Sequence, residues 1–368
     1  MTNVTRSFLP PMEEYMCELA PLWESRWLTN NGAIHQKFEA ELRKYLDCPN
    51  VTLYTNGHLA LEGVLEAMEL HGEVITTPFT FASTVHAIAR KGLKPVFCDV
   101  EDTFYTLNPE KLEALITDRT SAIVPVHVYG SLCNHEAIQK IADRHGLKVI
   151  YDAAHAFGVP GAANLGDASM FSFHATKVFH SVEGGCVTCA DPELKQRMER
   201  LKNFGLAGEA IPDIGGNGKM SEFHAAMGLC NLRYVNQCIE ARKAAVMRYR
   251  ENLSGLPGLK LCPEQPGVQS NYAYFPVVFT GDYTRDQAAD GLLRAGIAAR
   301  KYFSPLLNDC AAYGFRGDET PVAKAVSERV LTLPCIRSFH WRRSTGSAAF
   351  YGRDFDESPR FYRQFLYF

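Results

Sequence analysis

The chain has 368 residues, 46% of them hydrophobic and 21% charged, enough to bury one large core or a large core with a smaller one beside it. Its formal net charge of −3 removes the broad basic field that nucleic-acid binding requires, leaving room only for a local basic pocket that takes a phosphorylated ligand. Residues 1–11 lack a basic segment followed by an apolar run, and no stretch approaches bilayer-spanning length, so a cytoplasmic protein with no membrane partner is expected.

Between about residues 50 and 190, β-rich runs alternate with helix-like segments at the spacing of βαβ units. In chain order the pattern predicts a helix at 59–70, a strand at 73–77, a helix at 83–91, a strand at 95–99 and a helix at 109–116. It continues with a strand at 121–126, a helix at 135–145, and strands at 147–152, 168–173 and 186–189. This is the signature of a doubly wound α/β domain on a mainly parallel sheet. Residues 221–253 hold no proline and only Gly228 as a breaker, so they read as one long helix or two consecutive ones leading out of that domain. After Gly255-Leu256-Pro257-Gly258, a strand at 271–280 and a helix at 285–295 suggest a smaller α+β domain. The expected division is therefore 1–235 for the large domain and 236–368 for the linking helix and small domain. Residues 339–368 crowd arginine, phenylalanine and tyrosine without an amphipathic period, and no element is predicted there.

Eleven cysteines, an odd number without a secretion signal, read as reduced thiols. The one close pair, Cys186 and Cys189, has neither a second such pair nor histidines at ligand spacing. On a strand the two point to opposite faces, which favours two half-buried thiols over a zinc or redox site, and no metal is expected.

In an open parallel sheet, ligands sit beyond the carboxyl ends of the strands. Three features fall at that edge. Thr55-Asn56-Gly57-His58 precedes a helix whose free N-terminal amides favour a phosphate. Asp152 closes the strand at 147–152, where its carboxylate either holds a heterocyclic nitrogen protonated or caps the segment that follows. Lys177 follows the strand at 168–173, where it either snorkels outward or stays enclosed as an imine-forming nucleophile. Taken singly, each has an ordinary structural explanation.

Together their order and spacing resemble one family. The stretches Trp27-Leu28-Thr29-Asn30-Asn31-Gly32, Thr76-Thr77-Pro78-Phe79-Thr80-Phe81, Val126-His127-Val128-Tyr129-Gly130, Asp152-Ala153-Ala154-His155 and Ser172-Phe173-His174-Ala175-Thr176-Lys177 are similar to motifs of the DegT/DnrJ/EryC1/StrS sugar aminotransferases. The likeness runs over about residues 27–334, and several motifs in the right order are far more specific than one. It implies the aspartate-aminotransferase-like α/β fold (type I PLP fold), with a large mainly parallel-sheet domain and a smaller C-terminal α+β domain.

The resemblance also implies roles. Lys177 matches the lysine that binds pyridoxal 5'-phosphate as an imine and shuttles the proton, and Asp152 the carboxylate on the pyridinium nitrogen. Phe81 falls where an aromatic ring stacks on the cofactor. His155 stands where the family more often has glutamine, near the cofactor's phenolic oxygen. Asn56, Gly57 and His58 match the phosphate-binding turn, and Ser172 a hydroxyl on the same phosphate. Asn217 matches an asparagine given to the neighbouring subunit's phosphate, so a homodimer with shared active sites is implied. Two departures stand out: Gly215-Gly216-Asn217-Gly218 lacks the aromatic residues that usually flank the asparagine, and the arginine-rich tail replaces an amphipathic helix.

The reaction so implied moves an amino group from L-glutamate to a nucleotide-linked keto-sugar, best matched by dTDP-4-keto-6-deoxy-D-glucose, giving dTDP-4-amino-4,6-dideoxy-D-glucose. The rivals are a 3-keto sugar, a GDP- or UDP-linked 4-keto sugar, or a catalytically silent regulator on the same fold. A 3-dehydratase of this fold would carry histidine in place of Lys177. A generic nucleotide-binding module would need a glycine fingerprint after a strand, and none occurs.

Overall fold

The computed structural model describes residues 1–310 and 320–335, so the arginine-rich tail lies outside the described residues. Its strands are β1 (Thr2–Asn3), β2 (Asn50–Tyr54), β3 (Glu73–Thr76), β4 (Lys94–Phe97), β5 (Thr120–Ile123), β6 (Lys148–Asp152), β7 (Ala168–Ser172), β8 (Gly185–Cys189), β9 (Leu259–Leu261), β10 (Phe275–Phe279), β11 (Ile297–Ala298) and β12 (Val330–Leu333). Seven of them form one sheet in the order β2-β8-β7-β6-β5-β3-β4. Six run parallel, and β8 runs antiparallel to both β2 and β7. The reversal occurs at the loop carrying Lys177, which holds no helix and turns the chain back from β7 into β8.

The strands are apolar on alternate residues toward both faces, so the sheet needs helices on both sides. On one face Val74, Ala122, Ile150, Met170 and Val187 pack beneath helices Gly57–Ala67, Ala82–Arg90 and Pro192–Leu201. On the other, Ile75, Ile123, Val149 and Tyr151 meet helix His135–His145, while Leu53, Phe171 and Cys186 meet helices Ala33–Leu46 and Glu222–Leu232. Cys186 and Cys189 do point to opposite faces, and both thiols are buried and free. Among the described residues no cluster could hold a metal ion and no helix is long and apolar enough to cross a membrane.

Residues 221–253 form two helices, Glu222–Leu232 and Val235–Leu253, the second of which packs Tyr249 and Leu253 against an antiparallel sheet of order β12-β10-β9. A third apolar cluster joins the two sheets, with Phe79, Tyr105 and Tyr129 against Val278, Phe303 and Val330. Helix Ala33–Leu46 was not predicted, and its start shows why. Gly32 offers no capping side chain. The buried carboxylate of Glu222, 190 positions away, accepts the amides of Gly32 (2.9 Å), Ile34 (2.8 Å) and His35 (3.1 Å) instead.

Four histidines, His35, His127, His155 and His180, are buried in this architecture, and burial favours the neutral form of each. Burial pushes His35 and His127 down to about 3 and His155 well below the usual range. The unfolded chain therefore binds protons that the folded one refuses, and stability is lost as pH falls below the ordinary histidine value of 6.5 toward about 3. Unfolding free energies from urea titrations are expected to drop by on the order of 1 kcal/mol per histidine per pH unit below the ordinary histidine value, and His35→Phe is expected to flatten the slope.

Candidate active site

A cleft of about 520 Å³ opens at the carboxyl ends of the parallel strands. Eight of the nine predicted site residues line it: Asn56, Gly57, His58, Phe81, Asp152, His155, Ser172 and Lys177. Asn217 does not. It lies exposed in a loop that bridges back to Asn203, although the neighbouring Gly218 carbonyl accepts from Thr55 N–H at 2.8 Å and so runs beside the turn at Asn56.

Asp152 ends β6 with its carboxylate inside. Oδ2 accepts from the Thr84 hydroxyl at 2.7 Å and Oδ1 from the Ala154 amide at 3.1 Å. Burial pushes this acid upward, and the two hydrogen bonds with the nearby Lys177 charge hold it back. Lys177 shows the reverse balance: its enclosed amine is pushed down by desolvation, against the pull of Asp152 and Tyr302. Its loop is pinned at the base, where Phe173 N–H meets Gly184 O at 2.8 Å and Ser181 N–H meets Phe173 O at 3.0 Å. The N-terminal segment crosses the same loop, with Ser7 Oγ donating to Ala175 O and His180 Nε2 to Phe8 O, each at 2.7 Å.

The turn before helix Gly57–Ala67 works differently from its residue types. The Asn56 side chain accepts from Leu59 N–H at 2.8 Å and is spent as the helix cap. The His58 ring is held by Ser83 Oγ and by Glu62, each at 3.0 Å. What the turn presents to the cleft is thus the pair of first-turn amides of Gly57 and His58, which have no intrahelical acceptor. The backbone comes very close here: a side-chain carbon on Gly57 would stand 2.9 Å from Ser172 Cβ, and one on Gly185 only 2.7 Å from Gly57 N and Cα. Gly185→Ala is therefore expected to cost about 1–3 kcal/mol of stability, read as a lower urea midpoint, and to displace the Gly57 amide although position 185 lies outside the cleft lining.

His155 Nδ1 accepts from Tyr129 N–H at 3.1 Å, which fixes the neutral ring with its proton on Nε2. Tyr129 reaches that position with φ at +58°, in the left-handed region. Phe81 precedes helix Ala82–Arg90 and holds its ring exposed at the cleft. The far wall was not foreseen: Tyr274, Arg300, Tyr302 and Phe303 come from the segments around β10 and β11 and face the Lys177 loop. No local motif marks them, and only the apposition of the two sheets brings them in.

A lysine amine beside a buried acid, at the strand ends of an α/β sheet and next to a helix N-terminus, defines the class of enzymes that hold a phosphorylated carbonyl cofactor on a lysine. The chain belongs to the DegT/DnrJ/EryC1/StrS aminotransferase family, which it matches over residues 12–342. It is 43% identical over 345 residues to the dTDP-4-amino-4,6-dideoxy-D-glucose transaminase of Escherichia coli, covering 90% of this chain and 92% of that protein. DesI, solved in the presence of its TDP-sugar product, superposes with a TM-score of 0.87 at 34% identity, over 92% of this chain and 88% of that one. A candidate sugar aminotransferase of Streptococcus pneumoniae in its PLP form superposes with a TM-score of 0.82 at 25% identity, over 90% and 94%.

Proposed function

We propose that this chain uses pyridoxal 5'-phosphate to transfer the amino group of L-glutamate to dTDP-4-keto-6-deoxy-D-glucose, giving dTDP-4-amino-4,6-dideoxy-D-glucose. The observation that carries the chemistry is the Lys177–Asp152 couple in a cleft with one aromatic face and one helix N-terminus. These four features fit the four parts of the cofactor: its aldehyde, ring nitrogen, ring face and phosphate. When bound, the cofactor supplies an electron sink that stabilises negative charge at the carbon losing a proton.

The protein does the rest. Lys177 would hold the cofactor at its aldehyde carbon, and the lowered basicity of its amine would let it take a proton from the donor Cα and return one to the substrate. Asp152, acceptor to Thr84 and Ala154, keeps the ring nitrogen protonated. His155 offers its Nε2 proton to the phenolic oxygen, and Phe81 stacks on the ring. The amides of Gly57 and His58, with the Ser172 hydroxyl, take the phosphate, while Asn56 fixes the turn. Asn217, exposed and outside its own cleft, serves the cleft of a second copy. The exposed Trp23, Trp27, Ile211 and Ile214 supply apolar surface for such a homodimer. The choice of sugar rests on the 43% identity to a transaminase named for that product.

A spectroscopic cycle tests the reading. Protein loaded with pyridoxal phosphate should lose its visible imine band on adding L-glutamate and regain it on adding dTDP-4-keto-6-deoxy-D-glucose. Failure to take up the cofactor would sink the proposal as a whole. Recovery with a GDP- or UDP-linked 4-keto sugar or a 3-keto sugar alone would move the substrate while leaving the chemistry in place.

A further inference from the structure

Arg300 lines the cleft on the wall opposite the Lys177 loop. Its backbone is fixed to β12: Arg300 N–H donates to Thr332 O at 3.2 Å, and the Arg300 carbonyl accepts from Thr332 N–H and Oγ1, both at 2.8 Å. Thr332 is fully buried, so the base of the side chain is held while its head stays exposed. Nη1 donates to the Tyr302 hydroxyl at 2.6 Å, and the guanidinium lies 5.6 Å from the Tyr302 ring centroid. Among the described residues no carboxylate stands within ion-pair distance of it.

The other charged groups of the cleft are committed. Lys177 and Asp152 stabilise each other's charge, burial favours neutral His155, and Glu183 lies 3.6 Å from His174. Arg300 is thus the one cleft-lining cation, among the described residues, with a planar fork still open to a ligand. Each substrate of the proposed reaction carries oxyanions suited to such a fork: the carboxylates of glutamate and the diphosphate of the nucleotide-sugar.

We infer that Arg300 anchors the oxyanion by which a substrate enters the cleft, with Tyr302 setting the plane of the fork. The inference rests on the aminotransferase reading and assigns the recognition step of that same site. Glutamate and the keto-sugar occupy the cleft in turn, so one unpaired cation can receive an oxyanion from each.

The test takes the two half-reactions separately in wild type, Arg300→Gln and Arg300→Lys, following the visible band. Calorimetry with dTDP alone supplies a readout independent of turnover. Loss of one charged hydrogen-bonding partner should raise the half-saturating concentration of the anchored substrate by about 10- to 100-fold in Arg300→Gln. Arg300→Lys should recover part of that, because it keeps the charge and loses the fork. A shift confined to glutamate identifies the carboxylate, a shift in the sugar half-reaction and in dTDP binding identifies the diphosphate, and a shift in both identifies a shared anchor. Unchanged half-saturation for both substrates in Arg300→Gln, with wild type responding normally, overturns the anchor and leaves the proposed function standing. So does a change accompanied by loss of cofactor or of the folded state in both variants, since it marks a structural role. If wild type itself answers neither substrate, the proposed function fails, and the inference goes with it.

Discussion

Lys177→Ala is expected to lower turnover by at least about 10⁴-fold, because on the proposed reading one substitution removes both the covalent tether of the cofactor and the proton carrier. The visible band should vanish, while the protein still binds the cofactor through the Gly57–His58 turn. The fold should not suffer. The Lys177 amine is pushed below the ordinary lysine value of 10.5 by desolvation, so the unfolded chain binds this proton more readily than the folded one. Its burial therefore costs stability at neutral pH, and the cost fades as pH rises from the lowered value toward 10.5. Apo Lys177→Ala should be at least as stable as apo wild type at pH 7, with the gap closing in urea titrations at higher pH. Lys177→Arg, which retains a cation but cannot form the imine, should match the alanine variant in turnover.

Asp152→Asn is the second large effect, with kcat expected to fall about 10²- to 10⁴-fold and the half-saturating glutamate concentration little changed. Its interest lies in the local hydrogen bonds. Asparagine can still accept from the Ala154 amide, and its NH₂ can donate to Thr84, whose own proton turns to Thr80 Oγ1 at 2.8 Å. The substitution is thus nearly neutral for folding. Asp152→Ala, by contrast, leaves the Ala154 amide without its acceptor and a gap beside Thr84, whose proton turns to Thr80, at about 1–3 kcal/mol for the lost acceptor. A parallel loss of activity in both variants, with loss of stability only in the alanine one, separates the two duties of this carboxylate. Equal kcat in Asp152→Asn and wild type would remove Asp152 from the chemistry.

What the sequence made legible was local. The βαβ alternation marked β3 to β8 within a residue or two at most boundaries, because both the strand period and the intervening helices lie in contiguous residues. The near wall of the cleft was legible for the same reason: Phe81, Asp152 and Lys177 lie at or soon after predicted strands, and Gly57 lies just before a predicted helix. Strand β2 was not predicted, and neither was helix Ala33–Leu46, whose cap is the remote Glu222. The far wall was hidden too. Arg300 and Tyr302 look like ordinary loop residues until β12 holds the Arg300 backbone and the aromatic cluster of Phe79, Tyr129 and Phe303 sets the second sheet against the first. What the sequence did not show is that the side chains of His58 and Asn56 are taken up by Ser83, Glu62 and Leu59.

The contact of Gly57 with Gly185 and Ser172 carries a consequence for how such a protein can diverge. A side-chain carbon at Gly185 meets backbone atoms, N and Cα of Gly57, rather than a flexible chain end that could swing away. No compensating replacement at position 57 relieves that clash, since the obstructing atoms are present in every amino acid. A collection of variants selected for new sugar preferences should therefore change among the far-wall residues beside the Arg300–Tyr302 pair while position 185 stays fixed. The far wall is the part of the cleft on which new specificity can be tried without disturbing the turn proposed to hold the cofactor.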